Sequence, residues 1–188
     1  MSTLPRTIRV ADNATPRYQI TMPDLRVPLP TPTTAAGIDS RGRLSETHAM
    51  DALLNKFVAQ LQKSQQHLNY SFLKVQKLPM LTDATPDDEM ETWESFAARF
   101  ARTSDLYISR VLRRVILTKD PAFRGSVIDL LNQAEKFAWI ESAEVWRRIR
   151  ALRNVAAHEY VMDDLQALYS ELIRLTPFIL KVSIGEKA

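Results

Sequence analysis

The chain has 188 residues, of which 45% are hydrophobic and 25% charged, proportions typical of one globular domain, alone or with an arm. It contains no cysteine, which excludes disulfides, thiolate zinc sites and a cysteine nucleophile. The formal net charge of +3 is small, so its position along the chain is more informative than its size.

The first 44 residues differ from the rest of the chain. Six prolines interrupt this region, and the whole positive excess lies before residue 45, carried by Arg6, Arg9, Arg17, Arg26, Arg41 and Arg43. We predict an extended, basic, proline-rich arm over residues 1–44, which either keeps the chain in solution or contacts an acidic partner or nucleic acid. The opening "MSTLPRTIRV" lacks the apolar stretch of a signal peptide, and no later apolar run is long enough to cross a bilayer. We therefore expect a soluble cytoplasmic protein that has no membrane partner.

Helical periodicity begins after Ser45, a suitable N-cap, and defines two long helices. The apolar stripe of the first helix ends before Pro79 and consists of Met50, Leu54, Phe57, Leu61, Leu68, Phe72 and Val75. The second helix is predicted from about Asp87 to Leu117. Its inward residues are Trp93, Phe96, Phe100, Tyr107, Val111 and Val115.

Three further helices are predicted in the second half of the chain. They run from about Pro121 to Phe137, with the proline in the first turn, from Ser142 to Glu159, and from Asp163 to Val182. No strand pattern competes with them. Long antiparallel helices joined by short loops indicate an all-α, up-and-down bundle of four to five helices over residues 45–188.

Familiar catalytic motifs are absent from the sequence. It has no Walker loop, GxGxxG, HExxH or GxSxG. The three histidines, His48, His67 and His158, are too far apart for a typical metal-ligand spacing. We expect neither a metal ion nor a cofactor.

The stretch "RRIRALRNVAAHEY" in the fourth predicted helix combines two stripes. On a helical wheel, a core stripe contains Val145, Trp146, Ile149, Leu152, Ala156 and Tyr160. An adjoining polar stripe contains Arg147, Arg150, Asn154 and His158, and Arg153 lies between the two stripes. A purely structural interpretation is available, because arginine stems often cover the edge of a core while the guanidinium stays in water.

The order of these residues also forms a signature. Arg153, His158 and Tyr160 give the pattern RxxxxHxY, which resembles the signature of the HEPN superfamily, including the HepT-like toxins that are paired with minimal nucleotidyltransferases. Asn154 and the small Ala156 and Ala157 add to the resemblance, which covers about residues 90–182 and is strongest over 120–160. It implies a helical bundle that forms a homodimer or a higher even oligomer.

The resemblance also implies a reaction, the metal-independent cleavage of RNA by attack of a 2′-hydroxyl on the adjacent phosphate. His158 would transfer a proton, and Arg153 would stabilise the charge that builds up on the phosphoryl oxygens. Asn154, Arg150 and Arg147 would support this site and bind RNA. Because Arg153 and His158 point about 140° apart on an ideal helix, two signature helices facing each other across a dimer would form a better site than one.

Tyr160 is implied to be the residue to which a cognate nucleotidyltransferase antitoxin adds AMP, although a buried ring at the helix end is the structural alternative. The arm and the long first helix depart from the compact family core. Two other functions therefore stay open. One is a non-catalytic substrate-binding subunit of a minimal nucleotidyltransferase, and the other is an antitoxin-like interaction module that uses its arm.

Overall fold

The computed structural model describes residues 46–155 and 162–183, with side chains from residue 52 to 154 and from 165 to 183. These residues form five helices and no strand, which confirms the predicted all-α, up-and-down bundle. The helices are α1 (Glu46–Val75), α2 (residues 87–119), α3 (Val127–Lys136), α4 (Ala143–Val155) and α5 (Met162–Lys181). The predicted arm over residues 1–44, His158 and Tyr160 lie outside the described residues.

The apolar stripe of α1 faces the core as expected. Leu61, Leu68, Phe72 and Val75 are buried, and Phe57 is partly buried against them. The helix also holds the far end of the bundle together, because the Gln65 side chain donates hydrogen bonds to two carbonyls at the end of α5, those of Ile179 and Val182, both at 2.9 Å. These two bonds satisfy groups that the end of a helix otherwise leaves unpaired.

The central helix, α2, contacts all four others. It starts with three acidic residues, Asp87 to Glu89, which suit the positive end of the helix dipole. Its α-helical part Asp87–Asp105 continues through a π-helical segment, Leu106–Leu112, into a last α-helical part, Arg113–Lys119. The predicted inward residues are all buried: Trp93, Phe96, Phe100, Tyr107, Val111 and Val115.

The predicted start of α3, Pro121, is wrong, because the helix begins six residues later, at Val127. Pro121 does not open a helix but follows Asp120 in a tight turn, in which the Phe123 N–H donates to the Asp120 carbonyl at 3.1 Å. The helix begins instead after Ser126, whose hydroxyl accepts from the Asp129 N–H while the Asp129 carboxylate accepts from the Ser126 N–H. The Ser126 hydroxyl also donates to the Asp129 carboxylate at 2.7 Å, and this bond, together with the one from the Ser126 N–H, lowers the pKa of Asp129.

The junction between α3 and α4 is a tight helix-ending turn. Ala138 has a left-handed φ of 55°, and its N–H and the N–H of Trp139 bond back to the carbonyls of Glu135 and Ala134, both at 2.9 Å. Glycine usually occupies this position, because a Cβ is unfavourable in that conformation. Ser142 then caps α4, since the Val145 N–H donates to its hydroxyl.

The core beneath α4 is aromatic. Trp146 is buried against Tyr107 of α2, with ring centroids 4.7 Å apart, and the Tyr107 hydroxyl donates to the Trp139 carbonyl at 3.2 Å. Burial raises the pKa of Tyr107, so this phenol stays protonated. Among the described helices, none is both long and apolar enough to cross a membrane.

Candidate functional site

Arg153 is the signature residue whose surroundings are best defined. It lies near the end of α4, half-buried, between the core side and the solvent side of that helix, as the helical wheel predicts. Its guanidinium donates to the carboxylate of Asp105 on α2, where the side chains of the pair remain 38% and 46% exposed. Since the guanidinium of arginine has five N–H donors, this bond leaves others available to an anion.

The other predicted residues of α4 divide into two groups. Arg147 is half-buried and forms an ion pair within its own helix, 2.7 Å from Glu144, so its charge is already compensated. Arg150 and Asn154 are exposed. His158, the predicted proton-transfer residue, and Tyr160, the predicted modification site, lie outside the described part of the chain.

The partner of Arg153 lies at a special point of α2. Asp105 is the last residue before the π-helical segment, and its carboxylate also accepts a hydrogen bond from the hydroxyl of Ser109 at 3.0 Å. A π-helical turn changes the direction of the side chains that follow it, and such turns often occur at functional sites. Because Asp105 is bonded to Arg153, the π-helical segment begins where α2 meets the end of α4.

Asp105 also lines a cleft of about 510 Å³ between α1 and α2, which we call the cationic groove. The groove is lined by Gln60, Lys63, Ser64, His67, Arg99, Arg102, Asp105, Leu106 and Arg110. It therefore contains four permanent cations and a single carboxylate. Because that carboxylate is bonded to Arg153, the groove and the end of α4 form one continuous positive surface, which favours a polyanion.

The floor of the cationic groove is held by hydrogen bonds between α1 and α2. The hydroxyls of Ser64 and Thr103 are 2.7 Å apart, and the Arg99 guanidinium donates to the hydroxyl of Ser71 and to the His67 carbonyl. The guanidinium of Arg110 lies over the ring of Phe57, 5.6 Å from its centroid. Arg99 and Arg110 are thus held in place.

The opposite side of α4 is organised differently. Arg148 donates to the carboxylate of Glu171 on α5, which also accepts from Arg174 at 2.6 Å. These hydrogen bonds lower the pKa of Glu171 to about 2. We call Arg148, Glu171 and Arg174 the paired cluster. Its carboxylate is bonded to both arginines, so these charges tie α4 to α5.

Comparison with known proteins returns no relative: no protein-family model, curated protein or solved structure matches the chain. The candidate site is therefore defined by its own side chains. Within the described ranges there is no group of three or more His, Asp or Glu residues that could hold a metal ion. The cationic groove and Arg153 supply guanidinium, ammonium and hydroxyl groups, which bind phosphate oxygens well.

The sequence interpretation missed the cationic groove, although its signal was present. On α1, Lys63 and His67 follow each other at helical spacing, and on α2, Arg99 and Arg102 do the same. What the sequence alone could not indicate is that these two polar stripes face the same cleft. The bond between Arg153 and Asp105 joins residues 48 positions apart and had no local signal.

Proposed function

We propose that the chain is a HEPN-type, metal-independent endoribonuclease that acts as a homodimer and serves as the toxin of a prokaryotic toxin–antitoxin pair. The observation that carries the proposal is the position of Arg153, partly exposed and joined through Asp105 to the cationic groove. The RxxxxHxY pattern supplies the second half of the argument, because it adds His158 as a proton-transfer group.

The reaction uses no group from outside the protein and its RNA. The 2′-oxygen bonds to the phosphorus, and the bond from phosphorus to the 5′-oxygen of the next nucleotide breaks. His158 removes the proton of the 2′-hydroxyl, and an imidazolium supplies a proton to the leaving 5′-oxygen. Arg153 stabilises the pentacoordinate phosphorane, and the products are a 2′,3′-cyclic phosphate and a 5′-hydroxyl.

Asp105 acts in this scheme as a positioning residue. Its carboxylate fixes the guanidinium of Arg153, so that less conformational entropy is lost when the arginine meets a phosphate. The exposed Arg150 and Asn154 lie nearby on α4 and extend the RNA contact. A second copy of the chain across the dimer supplies His158, because on an ideal helix Arg153 and His158 of one chain point about 140° apart.

A non-catalytic binding subunit is the second candidate, and one observation favours it. Because the guanidinium of Arg153 is already bonded to Asp105, part of its charge is compensated before any phosphate arrives. In a non-catalytic subunit the same residues bind RNA or a nucleotide without cleaving it. The partner of such a subunit is a minimal nucleotidyltransferase.

Incubation of the purified protein with RNA in a metal chelator separates the two candidates. The nuclease proposal expects fragments, and it expects them to disappear in Arg153→Ala and in His158→Ala. Arg148→Ala is the matched control, because it removes an arginine of the same helix from the paired cluster and should cleave normally. RNA that binds and stays intact with the unaltered protein contradicts the nuclease proposal and supports the binding subunit.

The proposed antitoxin has its own test. A cognate nucleotidyltransferase that adds AMP to Tyr160 would place bulk and negative charge beside the phosphate-binding groups and block RNA. Mass spectrometry of the Tyr160 peptide, after expression with and without the partner, should find the AMP adduct only with the partner. A peptide that is unmodified in both samples contradicts this form of regulation.

A further inference from the structure

We propose that the seam between α1 and α2 binds a single RNA strand, with its phosphates along the cationic groove and a base stacked on Tyr70. This inference deepens the proposed function, since it assigns the path by which RNA reaches Arg153. It rests on the proposed function only for the identity of the ligand as RNA. Its physical basis is the geometry of α1 and α2.

Tyr70 is the first observation. Its side chain is 58% exposed, so the ring is open to a ligand. The ammonium of Lys74 and the guanidinium of Arg99 lie over the ring, 5.3 and 5.8 Å from its centroid. A base that stacks on this ring therefore has its own phosphates within reach of two cations.

The second observation is continuity along the seam. Tyr70, Lys74 and Arg99 line a smaller recess of about 220 Å³, and Arg99 also lines the cationic groove, so the two recesses meet at that residue. One carboxylate, Glu91, borders the recess. From one end to the other, the seam therefore offers cations at helical spacing with an aromatic ring among them.

The length of the seam sets the size of the ligand. From Gln60 to Lys74 the axis of α1 rises by about 20 Å. A stacked strand advances about 3.4 Å per nucleotide, so about six nucleotides cover this distance. An exposed aromatic ring selects a single strand over a duplex, because the bases of a duplex are already stacked on each other.

The test measures binding of a fluorescein-labelled oligouridine of about ten nucleotides by anisotropy at several salt concentrations. With the four cations of the groove engaged, the logarithm of the association constant should fall with the logarithm of salt concentration with a slope of about −3. Lys63→Gln and Arg102→Gln should each reduce that slope by about 0.7. Both side chains are exposed and form no ion pair with another described residue, so the fold should persist.

Matched controls accompany these variants and a truncation of Tyr70. Lys136→Gln removes an exposed lysine that does not line the groove, and it should leave the slope unchanged. Tyr70→Ala should weaken binding about ten- to hundredfold, while Tyr70→Phe keeps the affinity within about twofold. Phe137→Ala truncates another exposed aromatic ring, 47% exposed and outside the groove, and should have no effect.

Three results overturn the inference: equal affinity for a duplex of the same sequence, salt slopes that do not respond to Lys63→Gln or Arg102→Gln, or unchanged affinity in Tyr70→Ala. Failure of the proposed function is a different result. If the oligouridine binds as described and the chelator-treated protein leaves RNA intact, the seam is an RNA-binding site and the nuclease proposal is wrong. If RNA is cleaved with no dependence on Lys63, Arg102 and Tyr70, the seam is not its path.

Discussion

The two sides of α4 carry arginines in opposite electrostatic situations. In the paired cluster, Glu171 accepts hydrogen bonds from Arg148 and Arg174, and these charges join α4 to α5. On the other side, Asp105 is the one carboxylate that lines the cationic groove, and it is paired with Arg153. The difference separates charges that stabilise the fold from charges that remain able to meet a ligand.

Removing one arginine from each side of α4 tests whether the two sides differ in function. Arg153→Ala should lower the rate of RNA cleavage by about 100- to 1,000-fold, because it deletes a donor to the charge of the transition state. Thermal melting should change little, since the partly exposed ion pair with Asp105 contributes at most about 1 kcal/mol.

Arg148→Ala is the matched control for cleavage. Its cleavage rate should stay within about twofold of the parent, and its melting temperature should fall only slightly, because the exposed bond between α4 and α5 contributes at most about 1 kcal/mol. If both variants lose the same activity, or both lose only stability, the two sides of α4 do not differ in the way described.

A smaller effect is expected at the carboxylate of the groove. Asp105→Ala releases the guanidinium of Arg153 and removes the only acid of the groove, so the cleavage rate should fall about tenfold while RNA binds more tightly. Single-turnover rates and anisotropy separate the two quantities. A weaker complex with an unchanged rate would mean that Asp105 only supports the fold.

The paired cluster makes a prediction about pH. The pKa of Glu171 is lowered from 4.5 to about 2, so its contribution to stability is complete above 4.5 and is lost as the pH falls through that range. Glu171→Gln should therefore cost about 0.5–1 kcal/mol of unfolding free energy at neutral pH and clearly less near pH 2, where about half of the carboxylate is protonated. Urea unfolding at both pH values measures this. A cost that is the same at both contradicts the ionic role of Glu171.

The last prediction concerns stability alone and lies on neither side of α4. Ala138→Gly relieves the left-handed conformation at the end of α3 and should raise the unfolding free energy by about 0.5–1 kcal/mol. Ala98→Gly, at an exposed site inside α2, should lower it by a similar amount. Neither should change RNA cleavage. A destabilised Ala138→Gly protein would mean that the turn is held in another conformation.

The helices were predictable where apolar spacing is long and regular. The burial of Trp93, Phe96 and Phe100 followed directly from that spacing, and α2 keeps its inward face through the π-helical segment. The start of α3 was not predicted, because Pro121 suits both the first turn of a helix and a tight turn after Asp120. The capping box of Ser126 and Asp129 decides between them.

The candidate site was predictable only in part. The half-buried position of Arg153 followed from the wheel of α4, but its bond to Asp105 depends on how α2 and α4 pack. The pairing of Arg147 with Glu144 could have been read from their spacing of three residues, which brings opposite charges together on one helix. The cationic groove forms only when α1 and α2 lie side by side. The sequence pattern of each helix shows one polar stripe but not that the two stripes face each other.

The proposal that the RNA is cut by its own 2′-hydroxyl can be tested by removing that hydroxyl. The purified protein should cut a defined RNA in a metal chelator and leave 2′,3′-cyclic phosphate ends. Replacing the nucleotide on the 5′ side of the cut by its 2′-deoxy form should then abolish cleavage at that bond alone, since the attacking oxygen is gone. Cleavage that continues at the deoxy position, or RNA that stays intact throughout, would contradict the account.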